Sequence, residues 1–387
     1  MVLITLNGLT ERIGGFWKIN GKNIQSFNPP ILQSSEFPIL AASDHQLLMR
    51  KPLFKIRENG KFGFMDAIGE VVIEPQFTEA EDFYNGFSRV RLNDKMVPMD
   101  SQGRLLIRHW FNYVGLFEEQ LAKVQLVQKW GYLDERGRIA IPVQFSEAGY
   151  FSEGLAPVAL PEGFGFIDKE GQFVIEPAFG WAGEFRYGLA PAADDEVAGY
   201  IDRSGEFVID PLFDECLPFQ QDVGVVIRQD RWGLVDKKGK LLLKPQFNII
   251  EGYTNGEFFD GMAVAVQGNR YGFVNSGGEI IVPPQFDFAG DFGEGLALVE
   301  TRGSFGYIDK SGNIVIEPQF EDAGVFSDGL AQVKTGDAWG FMDTEGKIVI
   351  QPTFDAVLPF RDGLAWVSYN GTWAYINRWG DIVWRER

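Results

Sequence analysis

The chain has 387 residues, with 35 Lys+Arg against 54 Asp+Glu and a formal net charge of −19. That balance argues against a nucleic-acid binder, which needs a clustered positive surface, and against docking on an anionic membrane. Hydrophobic residues make up 45%, enough for a large core, while the single cysteine, Cys216, excludes an internal disulfide framework and a Cys-based zinc site.

No stretch approaches the roughly 18–20 apolar residues that span a bilayer. The opening MVLITLNGLTER lacks the basic start and long apolar run of a secretory signal. These absences lead to the expectation of a soluble, cytoplasmic protein.

Residues 1–52 read as an N-terminal cap. Gly15-Phe16-Trp17-Lys18-Ile19-Asn20-Gly21 has the cadence of a decayed repeat unit, and Ser43–Met49 suits one short helical turn. Terminal repeats are often atypical because they cover an otherwise exposed core.

From residue 53 to 387 the chain is one repeat. Taking Gly340 as the zero point of a unit, equivalent positions fall at Gly63, Val97, Gly131, Gly165, Gly199, Gly233, Gly272, Gly306 and Ala374. Six residues past each zero point stands a glycine, from Gly69 to Gly380. Fourteen past it stands a phenylalanine, from Phe77 to Phe354. Such a register fixes the architecture before any domain count.

Each unit reads as three short β strands without 3.6-residue periodicity. The first resembles Gly329–Lys334, the second Trp339–Asp343, and the third is an apolar triplet such as Ile348-Val349-Ile350. A triplet without alternation suits a strand covered on both faces. Asp-x-x-Gly, as in Asp309–Gly312, joins the second and third strands, with Asp capping the turn and Gly closing it. The proline of Glu317-Pro318-Gln319-Phe320 is expected to end the third strand. An acidic loop ending in Phe-x-x-Gly then leads into the next unit.

These phrases resemble the WG-repeat family, found mostly in bacterial proteins. Trp130-Gly131, Trp232-Gly233 and Trp339-Gly340 match it outright; Phe62-Gly63, Phe164-Gly165, Tyr271-Gly272 and Phe305-Gly306 keep an aromatic ring. Met96-Val97-Pro98 and Trp373-Ala374-Tyr375 depart from it. The resemblance implies an interaction module with no catalytic motif attached.

The fold class expected is therefore all-β, a tandem array of about ten 34-residue three-stranded antiparallel units. An open curved stack is favoured over a closed propeller-like ring, because propellers typically have 4–8 four-stranded blades.

The recurring turn aspartates (Asp66, Asp134, Asp168, Asp202, Asp236, Asp309, Asp343) are turn caps, since one carboxylate per unit falls short of the six to eight oxygens calcium takes. No metal or cofactor is expected. With His45 and His109 the only histidines, and Cys216 set among acids, no nucleophile–base pair stands out, and the chain reads as a non-enzyme. A hydrolase using paired carboxylates is the remaining catalytic reading.

Candidate partner-binding residues are the loop acids Glu79, Glu81, Asp82, Glu147, Glu153, Glu321, Asp322 and Asp328, which stacking would gather into one stripe attractive to a basic partner. Off-phase rings add Trp181 and Trp366, beside Trp110, Trp379 and Trp384. The five-residue insertion adds Tyr253 and Glu257, since insertions in repeat arrays map to loops on one face. The expected function is a non-catalytic scaffold binding a protein or peptide partner along this acidic and aromatic surface. The alternative is a carbohydrate or cell-envelope glycan-binding module.

Overall fold

A computed structural model describes the backbone of residues 12–13, 16–19 and 22–24, and residues 52–386 apart from 93–94, 107–110, 195 and 251–255. The chain divides into two units, Met1–Arg50 and Lys51–Arg387. In the first, Arg12–Ile13, Phe16–Ile19 and Lys22–Ile24 form a three-stranded antiparallel sheet. Its central strand is the stretch read as a decayed repeat. The helical turn expected at Ser43–Met49 lies outside the described residues, as do Trp110 and Tyr253.

Among its described residues the second unit is all-β, with ten small antiparallel sheets in tandem. Most have four strands, not the three expected. In one, Asp322–Ala323, Leu330–Thr335, Ala338–Asp343 and Ile348–Phe354 lie side by side in chain order. The added two-residue strand is too short to leave a periodic signal. It is also nearly continuous with the third strand of the preceding unit.

The third strand departs from expectation twice. It is the edge of its sheet, so only one side is covered: Ile316 and Phe320 are buried while Ile314 and Val315 are exposed. The proline does not end it either. Ile314–Phe320 runs through Pro318 with register shifts against the neighbouring strand. At an edge the missing N–H costs no ladder bond, which is where proline is tolerated.

Those shifts explain the glycine of the family phrase. A Cβ on Gly131 would lie 2.7 Å from the Ile141 carbonyl oxygen and 2.8 Å from Pro142. Only a residue without a side chain lets the third strand come that close. The preceding aromatic pairs across strands with the recurrent phenylalanine: Trp130 with Phe145, Trp232 with Phe247, Trp339 with Phe354. The phenylalanines are buried as expected from Phe77 to Phe320, and Phe354 is half-buried.

The turn chemistry is also as expected. Asp309 Oδ1 accepts the backbone N–H groups of Ser311 and Asn313 at 2.8 and 2.9 Å, and Gly312 has φ +84°. These turns stack each unit on its predecessor. A Cβ added to Gly103 would lie 3.5 Å from Ile73, and one added to Gly380 3.5 Å from Ile350.

The same relation joins the two ends. Gly69 of the first repeat packs on Val383 of the last, where an added Cβ would meet the Val383 oxygen at 2.7 Å. Phe54, Ile56 and Met65 share one buried cluster with Leu364 and Trp384. Tyr375 donates its hydroxyl to the Lys55 carbonyl at 3.0 Å. Of the two arrangements weighed from the sequence, these contacts are those of the propeller-like ring and not of the open stack. The ring consists of separate sheets and is not a closed barrel.

The departure at 373–375 now has a physical reading. Ala374 stands where other units have Gly, and no proline follows in its partner strand Ile382–Arg385, so the close approach is absent. Trp366, Trp373 and Trp384 stack beside Tyr375 and fill the seam.

Candidate binding surface

The Phe-x-x-Gly loops form tight two-residue turns in which the acid and the glycine both take positive φ, as at Asp328 (+54°) and Gly329 (+78°). Aspartate and asparagine tolerate this region better than most residues. Each acid then reaches to the next unit. Glu119 accepts the N–H of Gly154, Glu153 that of Gly188, Asp260 that of Gly295, Glu294 that of Gly329 and Asp328 that of Gly363, at 2.7–3.1 Å. A cation from the Asp-x-x-Gly turn often completes the group: Lys169 with Glu119 at 3.1 Å, Arg203 with Glu153 at 3.9 Å. These are unit-to-unit latches.

The loop acids singled out in the sequence are thus mostly bonded within the ring. Glu153 and Asp328 are latches. Glu81 holds Arg89 through two bonds of 2.5 and 2.7 Å, Glu79 pairs with Arg91 at 2.6 Å, and Asp82 with Lys55 at 3.2 Å. Glu321 accepts the Gly336 N–H, and Asp322 is half-buried, its carboxyl pushed up by burial. Glu147 is exposed and makes no ion pair among the described residues. They do not form a free acidic stripe.

The off-phase rings separate as well. Trp366 belongs to the seam stack and is half-buried, whereas Trp181 is 42% exposed and Trp379 75% exposed. Glu257 is exposed but faces Arg186, and burial raises its carboxyl against that attraction. Arg186 also acts on Glu118 and Tyr84, from turns two and three units away. Burial pushes the Tyr84 phenol up to about 12, with Glu118 adding to it.

Repeats two to four hold a second dense cluster. Lys123 Nζ lies 4.1 Å from the Tyr150 ring centre and 5.4 Å from that of Trp130, and donates to the Ala148 carbonyl at 3.1 Å. Arg89 sits over Tyr113. Burial lowers the Lys123 ammonium and raises the Tyr150 phenol. Each cation here already has its partners, so the cluster reads as internal packing.

Cys216 is buried beside Tyr200, and burial is the first cause holding its thiol well above the ordinary range. That is the opposite of an activated nucleophile. Among the described residues no group of three or more His, Cys, Asp or Glu side chains could hold a metal ion. No helix there is long and apolar enough to cross a membrane.

What varies between units is the tip of the Asp-x-x-Gly turn. Its third residue is Ile68, Gln102, Arg136, Glu170, Ser204, Lys238, Gly277, Ser311, Glu345 and Trp379 in turn, exposed in every case. Equivalent positions in a ring lie on one face. A constant frame thus presents ten tips of eight residue types side by side, a pattern visible in the sequence but masked there by the acids.

The profile of the WG containing repeat family matches residues 62–95, 130–160, 164–195, 199–230, 232–271, 271–303, 305–337 and 339–373. The chain belongs to this family. As a WG-repeat protein it shows the two departures noted above at 96–98 and 373–375, and the second of them lies at the ring seam. No curated protein matches the sequence. Among solved structures, one titled as the eukaryotic initiation factor is 11% identical, covering 87% of this chain and 96% of its own, with a TM-score of 0.47. The C-terminal WD40 domain of Sif2 is 10% identical over 66% of this chain and 91% of its own, at a TM-score of 0.32. Dihydro-heme d1 dehydrogenase NirN is 14% identical, covering 78% of this chain and 73% of its own, at 0.38. At these scores the likenesses carry nothing about function.

Proposed function

We propose that this WG-repeat ring is a non-catalytic scaffold that binds a protein or peptide partner on the face formed by its Asp-x-x-Gly turn tips. The observation that carries the reading is the contrast between frame and tip. Frame positions repeat in type and are bonded from unit to unit, while the exposed tips differ in size, charge and polarity. Repeat proteins bind through surfaces of this kind, where a rigid scaffold holds variable contact residues.

A photo-crosslinking amino acid placed at Lys238 or Glu345, on the tips, is expected to capture one discrete protein from the native cell. The same group at Glu176 or Glu317, on the outer edge strands, is expected to capture none. Equal capture from both places, or from neither, overturns the reading.

A further inference from the structure

The tips are not equally suited to contact. Eight of the ten are polar, charged or glycine, whereas Ile68 and Trp379 are 74% and 75% exposed. These two stand on the first and last repeats, which are neighbours across the seam. Large exposed apolar side chains on adjacent tips mark an interaction surface more strongly than scattered ones.

Beside Trp379 the cation pattern also breaks. Lys169, Arg203 and Lys310 occupy the second position of their turns and pair with Glu119, Glu153 and Asp260. Arg378 holds the same position but makes no ion pair or hydrogen bond among the described residues. Its guanidinium lies over Gly329, at the rim of a cavity of about 330 Å³ lined by Asp328, Phe360 and Gly363. The Asp328 carboxylate is turned to the Gly363 N–H at 2.7 Å. An exposed indole, an unpaired guanidinium and an adjoining hollow are the residue types that dominate binding energy in protein interfaces.

We infer that the seam is the anchor of the tip-face surface and takes a peptide segment presenting an aromatic or aliphatic side chain next to a single carboxylate. The carboxylate pairs with Arg378, and the apolar side chain packs between Trp379 and Ile68. Charge complementarity sets the anion, because an exposed guanidinium forms forked bonds with carboxylates. The −19 net charge sets the limit of one, since a strongly acidic partner is repelled at long range. This inference rests on the scaffold reading above and specifies its site and partner chemistry.

The test is selection of a random dodecapeptide library displayed on phage against the full chain, followed by fluorescence-polarisation titration of recovered peptides. Recovered sequences are expected to place Phe, Trp, Leu or Ile beside Asp or Glu. Trp379→Ala and Arg378→Gln are each expected to weaken binding at least tenfold, and Lys169→Gln to leave it unchanged. Replacing the peptide carboxylate by its amide should weaken binding to the parent and make no further difference in Arg378→Gln. Peptides that ignore Trp379 and Arg378 but respond to substitutions at Lys238 or Glu345 overturn the seam and leave the scaffold standing. Failure to recover any binding peptide counts against both.

Discussion

The Tyr375 hydroxyl meets the Lys55 carbonyl at 3.0 Å across 320 positions of sequence, and Tyr200 meets the Val225 carbonyl at 2.8 Å across 25. The two bonds are equivalent. In each, the tyrosine of a second strand reaches the residue eight before the neighbouring unit's zero point, in that unit's first strand. The last repeat therefore sees the first as an ordinary neighbour.

Tyr375→Phe keeps the ring and removes this bond. The expected loss is about 0.5–1.5 kcal/mol, the net value of one hydrogen bond. Hydrogen exchange should accelerate in Phe54–Glu58 and spare the strands around Val225. Unchanged exchange at Phe54–Glu58 would show that the seam does not depend on this bond.

Gly340→Ala should cost about 1–3 kcal/mol, because the new Cβ meets the Ile350 carbonyl oxygen at 2.5 Å and overpacks a backbone that has little room to move. Ala374→Gly, at the equivalent position without that close approach, should cost no more than about 1 kcal/mol from added chain entropy. Denaturant midpoints of the two variants give the comparison. A reversed order would mean that the glycine is not there for proximity.

Asp328→Asn retains a residue that accepts positive φ and weakens the charge-assisted bond to Gly363. The Gly363 amide should exchange faster, and stability should fall by about 0.5–1 kcal/mol, since the latch is exposed. An unaltered Gly363 exchange rate would remove the latch from the list of forces joining units.

Asp291 provides a pH test. Burial pushes its carboxyl up to about 6, and the neighbouring Glu257 charge adds to this. An acid with a raised folded pKa is ionised at a cost. That cost is absent only well below pH 3.8, where both states are protonated, and grows as pH rises from there towards 6. Asp291→Asn should therefore stabilise the protein by roughly 1–2 kcal/mol at about pH 7 and by almost nothing at about pH 3. Melting temperatures at both pH values decide it, and equal gains at the two would place the Asp291 carboxyl in ordinary surroundings.

Much of the frame was legible because its causes recur. The turn aspartates, the glycines at +6 and the phenylalanines at +14 each solve one local problem in nearly every unit, so their spacing survives in the sequence. Ring closure was not legible in that way. It rests on Val383, Tyr375 and Trp373, which keep the residue types of their repeat positions and so carry no sign of which unit they meet, and only Trp366 and Trp384 of the seam stack depart from the repeat. The edge strands misled for another reason. Val71-Val72-Ile73 has no polar alternation, yet Val71 and Val72 are exposed, since a sheet edge leaves one side uncovered whatever the residue type. At the surface, residue type told less than bonding. Glu153 and Asp328 look like free loop charges until the amide each one holds is seen in the next unit.

Closure through Gly69 and Val383 also divides folding into unequal steps. Interfaces along the chain join residues some 34 positions apart and can form as each unit meets the next. The seam alone must bring together segments more than 300 residues distant, and the entropy of closing so long a loop is met by no contact until the ends touch. A chain caught before that event is a nearly finished arc with two bare apolar faces. It is in this interval that one molecule can receive the end of another.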